Sequence, residues 1–121
     1  MRKVCIRRDD RRVRSTKLEG DHDVFGDGTT ILKPAFGHTQ GHQVLFLNLP
    51  RTGPLLLAGD LYHYRAERAM GKLPTFEFNK EETRAARADI EAFIMRTKAQ
   101  LWIQHDLEAF RNLKKAPDFY D

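Results

Sequence analysis

The 121 residues include one cysteine, Cys5, so no internal disulfide can form, and no CxxC or Cys/His ribbon is available for a structural zinc. Long apolar runs are missing as well. No segment approaches the roughly 18–20 uninterrupted apolar residues of a membrane helix. The N-terminus carries charge where a secretory leader would carry its apolar stretch, so the expected location is cytoplasmic. There is no internal repeat and no low-complexity tract. What remains, 40% hydrophobic and 31% charged in 14.1 kDa, is expected to form one ordinary globular domain with a single core.

The net charge of +4 is unevenly distributed. Residues 1–17 hold eight basic residues against Asp9 and Asp10, a net +6, and residues 18–121 hold 13 basic against 15 acidic, a net −2. The division predicts a basic, disordered arm over 1–17 in front of a mildly acidic folded domain over 18–121. Such an arm could touch phosphates, but a solvated tail is the reading preferred here. Nucleic-acid binding would show itself by an affinity that falls steeply with salt.

From Leu18 the chain alternates apolar runs with turn signals. Val24-Phe25 and Thr29–Leu32 flank Gly26-Asp27-Gly28, which predicts a hairpin. Gln43–Leu49 and Leu55–Ala58 read as further strands around the turn Pro50–Pro54, apolar enough for burial on both faces. Residues 62–78 read as a long loop with some local structure. Asn79 with Glu82 three positions on signals a helix start, and Thr83, Ala86, Ile90, Phe93 and Ile94 recur on one face until about Lys98. Leu101–Ile103 is a last strand, and a weaker helix follows from Asp106, before Pro117.

Three residues each follow an apolar run, at the strand ends where open α/β sheets collect ligands: His38, Asp60 and His105. Imidazole and carboxylate are the ligand types zinc takes in hydrolytic sites, where it acidifies a bound water. Each also has an ordinary structural explanation. Asp60 could cap the backbone after Gly59, and His105 could be a turn residue before Asp106. His42 reads as support for the glycine-rich turn, His22 as exposed, and neither these two nor His63 is taken as a ligand.

The segments GHTQGHQVLFL, LLLAGDLYHY and LWIQHD, in this order, resemble the C-terminal half of metallo-β-lactamase-fold hydrolases, N-acyl homoserine lactonases in particular. The resemblance runs from about Leu18 to Asp121. It implies an α/β chain forming the C-terminal half of an αββα sandwich, a mixed sheet with helices on one face. It also implies two metal ions, usually zinc, whose bridging hydroxide opens a lactone or other ester-like carbonyl. By position His38 would bind one metal, Asp60 would bridge both and carry catalysis, and His105 would bind the second. The chain departs from the family at the HxHxDH motif, which is absent, so four of the family's seven protein ligands are missing. The tyrosine that some lactonases place three residues after the bridging aspartate is here His63.

Half of a sandwich leaves a sheet face without its partner. Depending on register, Val44, Phe46, Leu55, Leu57 or their neighbours would face water, which predicts self-association or a partner chain over the open sheet. Two functions follow. One is a lactonase-like metallohydrolase acting on a small lactone or ester, incomplete as a lone chain. The other is a non-catalytic, self-associating interaction module derived from that fold.

Overall fold

The computed structural model describes residues 16–121. The expected arm over 1–17, apart from Thr16 and Lys17, lies outside them, as does Cys5. The elements run β1 (His22–Asp23), β2 (Thr30–Pro34), β3 (Gln43–Leu49), β4 (Gly53–Leu57), α1 (Arg65–Met70), α2 (Lys80–Thr97), β5 (Gln100–Trp102) and α3 (Leu107–Arg111). The five strands form one sheet in the order β1-β2-β3-β4-β5. All neighbours are antiparallel except β4 and β5, which are parallel because the chain crosses between them through α1 and α2. Among the described residues no helix is long and apolar enough to cross a membrane.

Register decides which residues form the core. Val44 and Phe46 on β3 and Leu56 on β4 share the face covered by α2, where Ala86 and Ile90 complete a cluster with Ala58, Leu61 and Ile103. Phe46 meets Phe93 of α2 edge-on, with centroids 5.0 Å apart. The pairs Leu45 with Leu57 and Leu47 with Leu55 turn the opposite face outward. Leu45, Leu47, Leu57 and Trp102 stay half-buried there, although Leu55 is buried. Tyr120 lies edge-on against Trp102 on this side, at 4.7 Å. Burial on both faces, expected from the apolar runs, is thus extensive on one face, where Ile31 and Leu101 remain partly exposed, and partial on the other. Of the four residues expected near water, Val44, Phe46 and Leu55 are buried.

Local signals set α2. The Asn79 side chain accepts hydrogen bonds from the Glu81 and Glu82 amides, and Lys98 ends the helix in the left-handed region at φ 59°. β3 occupies the expected span, while β4 takes in Gly53 and Pro54 and ends at Leu57. One expectation needs correction. Val24-Phe25 is not a strand, because the Asp23 carboxylate accepts from the Gly26 and Gly28 amides and folds residues 24–28 into a loop. The local structure expected within the loop over 62–78 is α1, whose sequence has no apolar stripe. It is fastened to α2 by Arg68 to Glu91 and by Arg87 to Glu67.

Candidate metal centre

β2, β4 and β5 run in the same direction, so their C-terminal ends meet at one edge of the sheet. The chain leaves those ends through Gly37-His38, Gly59-Asp60 and Gln104-His105, which brings together the three residues that the sequence singles out. Asp60 sits between two imidazoles. Its Oδ1 lies 2.7 Å from Nε2 of His105, and its Oδ2 lies 3.6 Å from Nε2 of His38. The hydrogen bond with His105 holds the Asp60 carboxyl below its ordinary range, against a smaller upward push from burial. The ionised form, the one a metal needs, is therefore favoured.

Two glycines permit this convergence. Gly37 has φ 130°, and a Cβ there would lie inside 3.0 Å of Oγ1 and N of Thr83 and 2.6 Å from its Cα. The first turn of α2 thus rests directly on the turn that carries His38, and Gly37 O accepts from the Asn79 amide at 2.9 Å. At Gly59, φ 54°, a Cβ would stand 2.8 Å from Nε2 of His42. That space lets His42 reach the Asp60 backbone.

The neighbouring side chains fix the ligand candidates in place. His42 lies 2.9 Å from Ala35 O through Nδ1 and accepts the Asp60 amide at Nε2, also at 2.9 Å, so both of its nitrogens are engaged. Burial pushes its pKa down, consistent with the neutral ring that this pattern requires. Glu77, whose side chain is 0% exposed, lies 3.3 Å from Nδ1 of His38 and accepts from the Thr83 hydroxyl at 2.6 Å. A carboxylate behind one ring nitrogen leaves the other with its lone pair outward, a recurrent arrangement for a metal-binding histidine.

His63, set aside from sequence, also stands in this cluster. Ligand atoms of His38, Asp60 and His63 lie within 4.8 Å of one another. The His63 ring stacks on His105 at 5.3 Å and tilts against His38 at 5.4 Å, while Phe76 caps His38 and His63 edge-on. Its position three residues after Asp60 was the available signal. Glu77 had none, since it meets His38 across 39 residues of chain. His22 is exposed on β1, as expected.

Mutually near imidazoles and a carboxylate, at the end of parallel strands, form a donor set that suits a borderline divalent cation such as zinc. No family model matches the sequence. The chain is 36% identical over 102 residues to N-acyl homoserine lactonase AttM of Azorhizobium caulinodans, covering 83% of this chain and 38% of that one. It is 29% identical over 102 residues to an N-acyl homoserine lactonase of a Bacillus species, covering 84% and 40%. A solved N-acyl homoserine lactone hydrolase, with the product N-hexanoyl-L-homoserine at its catalytic metal centre, superposes with a TM-score of 0.75 at 25% identity, covering 86% of this chain and 40% of that one. A quorum-quenching N-acyl homoserine lactone lactonase gives the same TM-score and identity, covering 86% and 42%. The chain therefore spans about two fifths of the length of these relatives.

Proposed function

We propose, for a chain that carries part of a metallo-β-lactamase fold of the N-acyl homoserine lactonase kind, that it supplies one side of a metal-dependent hydrolase site acting on a lactone or ester. The observation that carries this reading is Asp60, with one imidazole facing each of its oxygens. His38 and His105 would each hold one metal ion and Asp60 would bridge the two. Zinc so held supplies Lewis acidity that brings the pKa of a bound water down toward 7.

The chain's own residues do the positioning. Glu77 keeps the Nε2 lone pair of His38 turned toward Asp60, and His42 fixes the Asp60 backbone so that its carboxylate faces both imidazoles. Catalytic zinc takes three protein ligands and water. The HxHxDH motif is not among the 121 residues, so the remaining ligands of a two-metal site would come from outside them.

The half-covered face of Leu45, Leu47, Leu57 and Trp102 favours a second reading, a self-associating module that buries this face against another copy. Elemental analysis and native mass on one sample separate the two. The hydrolase reading expects bound zinc that is lost in Asp60→Ala. Zinc uptake unchanged by that substitution would remove the bridging role, and a zinc-free dimer would favour the module.

A further inference from the structure

His63 is held in a way that the reading above does not use. Its side chain is only 12% exposed, and its Nδ1 is buried without a hydrogen-bond partner. An orphaned buried polar atom destabilises a fold, so its place among two other imidazoles calls for a reason. Glu67, one turn further on, accepts the His63 amide at 3.1 Å through Oε2 and brings Oε1 to 3.5 Å from Nδ1. Glu67 is in turn fixed from α2 by Arg87, which is buried, donates to Glu67 Oε2 at 3.0 Å and spans Leu61 O and Lys72 O. The pattern repeats that at His38, where Glu77 stands behind Nδ1 and is fixed by Thr83 of the same helix.

We propose that His63 is a metal ligand, completing with His38 and Asp60 a three-ligand, single-metal site that this chain forms by itself, and that Glu67, anchored by Arg87, is the residue that positions the His63 imidazole. The inference rests on the metal-site reading above and changes its count. Two protein ligands hold zinc poorly, whereas three with an open position match a catalytic site. His105, on the other oxygen of Asp60, lies outside the three-ligand set. The site then needs none of the ligands missing with HxHxDH.

The test is a cobalt(II) titration of the full chain, followed by visible absorption and by X-ray absorption of the loaded protein. One cobalt per chain with two imidazoles in its coordination shell is expected. His63→Phe keeps the ring stack and removes the donor; it is expected to lose one imidazole and to bind at least about 100-fold more weakly. Glu67→Gln, which retains the imidazole, is expected to weaken binding about 10–100-fold. His63→Phe binding cobalt with the wild-type affinity and spectrum overturns the inference and leaves the metal reading standing. If that variant does not fold, unchanged affinity in Glu67→Gln, or fewer than two imidazoles on the wild-type cobalt, overturns it equally. A wild-type chain that takes up no cobalt overturns both.

Discussion

Replacing Gly37 by Ala tests the convergence of the site on the sheet. The added Cβ would meet Thr83 Oγ1 and N inside 3.0 Å and Cα at 2.6 Å, and two of those atoms are backbone of α2 that cannot rotate away. Holding a non-glycine residue at φ 130° adds strain of about 1–3 kcal/mol, and overpacking against rigid neighbours adds a further 1–3 kcal/mol. The expected total is about 2–6 kcal/mol, or about 8–24 °C in midpoint for a domain of this size. Gly53→Ala is the control, because Gly53 shares the positive φ, at 84°, but nothing stands within 4 Å of its Cβ position. It should cost only about 1–2 kcal/mol. Urea and thermal unfolding of the three chains, followed by far-ultraviolet circular dichroism, gives the comparison. Equal losses in the two variants would refute the claim that α2 rests directly on the turn carrying His38.

Asn79→Ala removes the side-chain acceptor for the Glu81 and Glu82 amides and should lower stability by about 1 kcal/mol; a loss too small to detect in the same unfolding assay would mean that α2 does not depend on its cap. Glu91 is held below its ordinary pKa chiefly by the Arg68 guanidinium, with the Tyr62 hydroxyl helping against partial burial. Because the folded value is the lower one, this contribution is present above the unfolded carboxylate value, near about 4.3, and is lost as pH falls through the folded value. Glu91→Gln should therefore be less stable than the wild type near neutral pH and approach it below about pH 4, whereas a gap that does not narrow on acidification would refute the pairing.

Strand β3, the Asn79 cap, the end of α2 and the Asp106 cap were legible because each depends on residues within a few positions of one another. The first hairpin was legible, but its leading strand is His22–Asp23 and not Val24-Phe25, because Asp23 takes the amides that a longer strand would have used. Helix α1 was legible only as local structure within a loop, because its attachments, Glu91 and Arg87, lie 20 or more residues further along the chain.

The candidate site divides along the same line. His38, Asp60 and His105 could be named from sequence because a polar donor directly after an apolar strand is a local pattern, and His42 as their support followed from the glycine-rich turn. By themselves those 121 letters determined strand β3, the main helix, the donor types and the absence of HxHxDH. Only the tertiary structure decided that one sheet face is closed and the other half-open, that Asp60 faces an imidazole with each oxygen, and that His63, Glu67 and Glu77 belong to the cluster. Those outcomes depend on register and on contacts across 39 or 45 residues of chain, and a local pattern holds no information about such distances.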